Sequence, residues 1–403
     1  MGPKARADFS ICDMPRMKAD SKGGRVDFPV ELVLVSFQGS GMQLKENSVL
    51  PGQRLRARGA GSNATGRFEA TARVAYDDGW EMVEDERLVR TEVRLERPRS
   101  AITYNRSPDL PFDRSINPYR GCEHGCIYCF ARPTHAYLNL SPGLDFETKL
   151  IARPGIGKVL ERELRAKSYR VAVIALGTNT DPYQPIEAEH RVMREVLEVL
   201  AAFRHPVAIT TKGTLVERDL DILAPLAARG LVRVGISITT LDPVLARRME
   251  PRAASPLRRL AVIRRLSEAG VAVRVMIAPV VPGLTDPELE TIMAAAKEAG
   301  AVAASFIALR LPLEVSALFQ DWLKQHYPDR AGKVMARVRE LHGGKEYDAE
   351  WGKRFRGEGL WPDLMERRFK LAVARLGLNA PLPPLRTDLF KAPPRAGDQL
   401  TLF

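Results

Sequence analysis

Between residues 114 and 310 the chain repeats one unit, a short β-branched run followed by a stretch with helical spacing, and that alternation leaves few folds open. The runs are RSINPYR (114–120), VAVIALG (171–177), PVAITTK (206–212), LVRVGISIT (231–239), VAVRVMIAP (271–279) and AVAASFIAL (301–309). Helices are predicted over 147–167, 187–204, 215–229, 256–269 and 286–299. The fourth carries its own punctuation, with Ser255 as N-cap, Pro256 at the first helical position and Gly270 at the end. Six such units fall two short of a closed eight-stranded barrel. The expected fold is therefore α/β, a partial (βα)6 barrel of the TIM type with functional groups at the C-terminal ends of its strands.

The flanks read differently. Residues 1–65 mix Gly, Lys, Arg and Ser, and LRARGAGSNATGRFE has the character of a flexible basic arm. Residues 66–113 are an extension leading into the core at 114–320, a helical C-terminal extension occupies 321–380, and a Pro-rich tail runs over 381–403. With 45% hydrophobic and 27% charged residues the chain is expected to be globular and soluble. Its one early apolar run, VELVLVSF, is too short for a membrane span and contains Glu31, so a cytoplasmic location with no membrane partner is expected. A formal net charge of +12 suits a polyanionic partner such as nucleic acid.

Three of the four cysteines fall within eight positions, in INPYRGCEHGCIYCFARP. Such uneven spacing does not make a disulfide framework. Cys122, Cys126 and Cys129 stand as C-x3-C-x2-C directly after the first strand. A closed zinc site would need a fourth ligand from His124, His135 or distant Cys12. Three thiolates can instead hold three irons of a [4Fe-4S] cluster and leave the fourth iron open. The strand ends supply matching groups: Thr178, Asn179, Thr180 and Asp181 after the second, Lys212 after the third, Ser237 at the end of the fourth, the APVVPG wall after the fifth and Arg310 after the sixth. They can offer hydroxyl, amide, carboxylate and ammonium groups to a ligand on one face. Among the tryptophans, Trp322, Trp351 and Trp361 are read as core covering the barrel, with basic residues around GKRFRGEGLW offering single-stranded nucleic acid as the alternative.

The cysteine spacing, with Tyr128 just before the last Cys, resembles the radical S-adenosylmethionine (SAM) superfamily. That resemblance implies a [4Fe-4S] cluster on Cys122, Cys126 and Cys129, and S-adenosylmethionine cleaved to a 5′-deoxyadenosyl radical. It also implies an electron donor such as flavodoxin or ferredoxin. Within the superfamily, TNTD (178–181), TTK (210–212), the SI of strand four, MEPRAASPLRR (249–259) and IAPV (277–280) look like the spore photoproduct lyases, over about residues 115–310. The likeness implies Thr180, Lys212 and Ser237 as S-adenosylmethionine contacts, alongside Tyr128, Thr178, Asn179 and Asp181 as candidates. It also shows a departure: those lyases carry a hydrogen-donating cysteine where this chain has Thr178, whose O–H bond is too strong to replace a thiol. RGAGSNATGRFE, DRSINPYRGCEHGCIYCFARPTH and LSPGLDFETK resemble an uncharacterised bacterial branch grouped with those lyases.

Finally, the sequence ends in QLTLF, where Gln399, Leu400, Leu402 and Phe403 resemble the peptide by which bacterial DNA polymerases and repair proteins dock on the sliding clamp, the alternative being an amphipathic end folded back on its own domain. The leading expectation is thus a radical SAM enzyme acting on nucleic acid in DNA repair. The alternatives left open are the same chemistry on a protein, tRNA or small molecule, or a non-catalytic iron–sulfur adaptor riding the clamp.

Overall fold

A computed structural model of the chain describes residues 58–69, 89–379 and 382–394. Most of the expected arm, Cys12, residues 70–88 and the QLTLF end lie outside the described residues. The strands are β1 (Glu92–Leu95), β2 (Ile102–Tyr104), β3 (Arg114–Ile116), β4 (Tyr119–Arg120), β5 (Lys149–Ala152), β6 (Ile174–Leu176), β7 (Val207–Thr211), β8 (Val232–Ser237), β9 (Ala272–Val280) and β10 (Ala303–Ala308). The helices are α1 (Asp145–Thr148), α2 (Ile156–Leu164), α3 (Glu187–His190), α4 (Val192–Ala202), α5 (Leu220–Ala228), α6 (Pro243–Met249), α7 (Pro256–Glu268), α8 (Leu289–Glu298), α9 (Glu314–His326), α10 (Pro328–Leu341) and α11 (Leu360–Leu376).

Five of the six expected strands and the first half of the other enter one sheet, in the order β10-β9-β8-β7-β6-β3-β2; the run expected at 114–120 splits, and its Tyr119–Arg120 part, β4, joins a second sheet. The first six are mutually parallel and β2 lies antiparallel on β3. Its two edges, β10 and β2, do not pair with each other, so the barrel is partial. Strand residues Ile174, Leu176, Val207, Ile209, Val234, Val273, Val275 and Ile277 are buried against Leu160, Leu197, Leu200, Ile263, Leu266 and Ile292 of the outer helices. Each such side chain contributes about 1.5–3 kcal/mol by leaving water, which makes this interface the main source of stability. The cap predicted for α7 is present: Ser255 Oγ accepts from the Arg258 amide at 3.4 Å.

The helix expected over 187–204 is broken at Arg191 into α3 and α4, that expected over 215–229 opens with a 3-10 turn before α5, and three further boundaries differ from expectation. The helix predicted over 147–167 is interrupted, because Lys149–Ala152 instead form β5, which pairs with β1 and β4 in a separate three-stranded sheet. Pro154 and Gly155 then separate β5 from α2. Residues 58–65, expected at the end of a flexible arm, are packed: Ala60 is buried, Asn63 Nδ2 donates to Asp145 Oδ1 at 2.9 Å, and the Leu144 amide donates to the Ser62 carbonyl at 3.1 Å. Paired backbone and side-chain groups outweigh their glycine-rich composition. The third difference is α9, which begins at Glu314, inside the expected core.

Helices α9 and α10 cover one side of the barrel, with Leu318, Phe319, Trp322, Val334 and Val338 packed in one cluster with Ile127, Leu309 and Leu311. Trp322 and Trp361 are core, as expected, whereas Trp351 is 59% exposed. Among the described residues no helix is long and apolar enough to cross a membrane.

Candidate active site

The cysteine loop leaves the small sheet at β4 and is shaped by backbone and buried charge. The Cys122 amide donates to the Phe146 carbonyl at 2.9 Å, and the Ile127 amide to the Met249 carbonyl at 3.0 Å. Beneath it, Arg132 spreads its guanidinium over the carbonyls of Cys126 (2.9 Å), Gly125 (3.2 Å), Pro142 (3.1 Å) and Gly143 (2.9 Å), and pairs with Glu147 at 2.5 Å. Both partners are fully buried, so their desolvation is offset by these hydrogen bonds. Glu147 also accepts from the amides of Gly59 (2.9 Å) and Ala60 (2.8 Å). Two glycines permit this closeness. A Cβ on Gly59 would stand 1.8 Å from the Gly125 carbonyl oxygen, and one on Gly125, itself at φ +67°, would stand 2.6 Å from Glu147 Oε2.

The thiols of Cys122 and Cys126 are buried and that of Cys129 partly so. Burial pushes all three up, Cys126 to about 12, while the Lys212 ammonium pulls Cys126 and Cys129 the other way. Such thiols are protonated until a metal displaces the proton. The alternative zinc ligands are turned elsewhere: His124 Nδ1 lies 3.4 Å from Asp181 Oδ2, and His135 Nε2 lies 2.9 Å from the Lys149 carbonyl. Among the described residues no three His, Cys, Asp or Glu side chains are gathered closely enough to hold a single metal ion. A cluster makes a different demand, because each thiolate binds its own iron.

The strand ends bring the other candidates to this face. Lys212, just past β7, donates from Nζ to Ser237 Oγ at 3.1 Å, and its ammonium stands 5.8 Å from the centre of the Tyr128 ring. Ser237 Oγ in turn reaches the Ala278 carbonyl at 3.3 Å. Tyr128 is buried, with its phenol on Glu250 and 3.2 Å from Thr239 Oγ1. Thr178 and Asn179 are half-buried and their side chains make no hydrogen bond among the described residues.

Two expected contacts prove committed to the protein itself. Thr180 Oγ1 donates to the Tyr119 carbonyl at 2.8 Å. Asp181 accepts from Thr211 Oγ1 at 2.6 Å and from the Lys212 and Tyr183 amides at 2.7 and 2.9 Å. Burial would raise its pKa, but His124, the Thr211 hydroxyl and the Lys212 amide hold it at about 2. Its carboxylate therefore fixes the backbone of Lys212.

Sequence reasoning assigned no role to Glu250 and Arg259, which form a buried ion pair under Tyr128. Arg259 also donates to the carbonyls of Ser237 (2.9 Å) and Ala254 (2.8 Å), and Thr239 Oγ1 to Glu250 at 2.7 Å. Burial works against the Glu250 charge, but Arg259 and Lys212 keep its pKa near about 2. Both residues lie in MEPRAASPLRR, the stretch already singled out, so a signal was present without a partner to attach it to.

The descriptive sequence profile of the Radical SAM superfamily matches residues 116–296. An uncharacterised protein of Mycobacterium tuberculosis is 41% identical over 235 residues, covering 58% of this chain and 68% of that protein. The chain belongs to the radical SAM superfamily. An uncharacterised protein of the archaeon Methanocaldococcus jannaschii is 27% identical over 216 residues, 53% of this chain and 76% of that one. Among solved structures, spore photoproduct lyase complexed with dinucleoside spore photoproduct superposes with a TM-score of 0.51 at 17% identity, over 70% of this chain and 79% of that one. A point mutant of that lyase gives 0.52 at 16% identity, over 71% and 80%. The likeness shows a shared fold. As a radical SAM protein the chain is an enzyme of radical chemistry, and the adaptor alternative is set aside. The family implies S-adenosylmethionine and a [4Fe-4S] cluster, and the three soft thiolate donors of one loop fit such a cluster.

Proposed function

We propose that this radical SAM enzyme holds a [4Fe-4S] cluster through Cys122, Cys126 and Cys129, binds S-adenosylmethionine beside it, and acts on nucleic acid in DNA repair. The observation that carries the reading is the meeting of the thiol loop, Tyr128, Lys212 and Ser237 at the C-terminal end of the parallel sheet. When bound, the two cofactors supply one-electron cleavage of S-adenosylmethionine to a 5′-deoxyadenosyl radical, with the electron drawn from a flavodoxin or ferredoxin.

The chain's own groups bind and orient. Lys212 would meet the carboxylate of S-adenosylmethionine, with Ser237 holding the ammonium in place. Thr178 and Asn179, whose side chains make no hydrogen bond among the described residues, would meet its polar groups, while Thr180 is held on the Tyr119 carbonyl. Asp181 positions Lys212 through its amide. Tyr128, fixed by Glu250 and Thr239, presents a ring face towards the same ammonium. The nucleic-acid substrate is supported by the net charge of +12 and by a fold shared with spore photoproduct lyase. Thr178 stands where the resemblance places the lyase's donor cysteine, so hydrogen return follows another route in this enzyme.

The test is anaerobic reconstitution followed by reduction with S-adenosylmethionine. Formation of 5′-deoxyadenosine that vanishes in Cys126→Ala supports the reading. Stoichiometric zinc with no cluster after reconstitution defeats it. Binding of oligonucleotides as a function of salt tests the substrate class separately.

A further inference from the structure

Arg310 lies two residues beyond β10, on the cysteine side of the sheet, beside Phe130. Its guanidinium stands against two aromatic rings, 4.7 Å from the centre of Phe130 and 4.4 Å from that of Phe355. Phe130 directly follows Cys129. Phe355 belongs to the loop between α10 and α11, and Arg354 of the same loop stands 4.8 Å from its ring. The result is a ladder of alternating aromatic and guanidinium groups, Phe130, Arg310, Phe355, Arg354, leading outward from a cysteine of the loop.

The two cations in the ladder differ in one respect. Arg354 is satisfied: it grips Asp109 through both nitrogens at 2.6 and 2.7 Å, and Asp109 also accepts the Gly352 amide at 3.2 Å. Arg310 has neither a hydrogen bond nor an ion pair among the described residues. With two rings against it and no hydrogen-bond partner among the described residues, its five N–H groups remain open to an acceptor from solvent or a ligand. A rigid planar fork of that kind matches the oxygens of a phosphate in bidentate fashion. Phe130 beside it is itself 42% exposed, and Trp351, 59% exposed, lies three positions before Arg354 in the loop that carries Phe355.

We propose that Arg310 is the phosphate anchor of the substrate site, and that it receives a nucleotide unit whose base stacks on the exposed aromatic surface beside it. This rests on the nucleic-acid reading above only for the length of the ligand, since a strand and a free nucleotide share the chemistry. In a strand the anchored phosphate neighbours the nucleotide presented to the thiol loop, so Arg310 sets which nucleotide reaches the reaction centre.

The experiment uses full-length reconstituted protein and three probes: a labelled single-stranded oligodeoxynucleotide, deoxythymidine monophosphate and deoxythymidine. Arg310→Gln should weaken oligonucleotide binding about 10-fold or more and lower the salt slope by about 0.7, one phosphate contact's worth for a single strand. Arg310→Lys should fall between, keeping the charge without the fork. Wild type should prefer the monophosphate over the nucleoside, and that preference should collapse in Arg310→Gln. This ratio is read within each protein and is insensitive to a loss of folded fraction. Arg264→Gln, which removes an exposed charge on α7, should change affinity less than about two-fold.

Monophosphate preference that depends on Arg310, without oligonucleotide binding, keeps the proposal and removes the nucleic-acid reading. Oligonucleotide binding equal in wild type and Arg310→Gln keeps that reading and overturns the proposal. Equal weakening by Arg264→Gln, or a shifted cluster reduction potential in Arg310→Gln with ligand binding unchanged, also overturns it, the latter by assigning the charge to the cluster.

Discussion

Glu250 is a buried carboxylate held ionised by Arg259, and its other oxygen takes the Tyr128 phenol and the Thr239 hydroxyl. Removing one member of such a pair leaves the other charge stranded. Glu250→Gln should therefore cost about 3–5 kcal/mol, read as a lower urea midpoint. Glu250 and Asp181 have pKa values held at about 2, below ordinary values of 4.5 and 3.8, so their stabilisation is present above those ordinary values. It is lost as pH falls towards 2, and urea midpoints of wild type should drop between pH 5 and 3 more steeply than those of Glu250→Gln. At the open face the prediction is different in kind. Lys212→Ala and Ser237→Ala should each weaken S-adenosylmethionine binding about 10-fold, by calorimetry, with iron content unchanged. Those two residues could be found in the sequence because strand ends are periodic landmarks. Glu250 could not be assigned, since its phenol partner lies 122 positions away and no local pattern joins them.

At the level of elements, five of the six parallel strands were readable because each is a largely apolar run bounded by turn residues, whereas β3 is only the RSI of the run expected at 114–120. β5 was hidden inside a helical reading, since a four-residue strand next to a helix of similar composition has no period of its own. β1, β2 and β4 are short and partly exposed, so their pairing is a tertiary matter. The segment 58–69 shows the limit most clearly. Its glycines suit a flexible linker in composition, yet Gly59 is there because the cysteine loop passes within contact distance. Gly59→Val should force the two backbones apart. The expected outcome is faster loss of iron on exposure to air, followed by visible absorbance, together with a lower melting temperature. Unchanged retention would mean the segment can shift without consequence for the loop.

For the whole molecule, the partial barrel and its coverage by α9 and α10 follow from the open edges of the sheet, which leave apolar strand ends needing a partner. Residues 382–394 run along the outside of the same body. Phe390 packs against Tyr169, Phe203 and His205, and the Lys391 amide donates to the Phe203 carbonyl at 3.0 Å. The QLTLF reading concerns the chain beyond that point. A synthetic peptide of residues 394–403 should bind the cognate sliding clamp with micromolar affinity, about 8 kcal/mol. Replacing Leu402 and Phe403 by Ala should abolish detectable binding, by about 3 kcal/mol or more. A peptide that ignores the clamp removes this link to replication and repair.

The fork of Arg132 has a bearing on how the enzyme matures. Four backbone carbonyls and a carboxylate are gathered by one side chain, so the cysteine loop has a hydrogen-bonded frame of its own. Small zinc domains are moulded by their metal and collapse without it. Here the mould exists first. Biogenesis should then proceed in two separable stages, chain folding and later delivery of iron and sulfide. Iron-free protein should melt cooperatively, with a far-ultraviolet spectrum like that of the loaded form, and Arg132→Met should blur that melt even where all three cysteines remain.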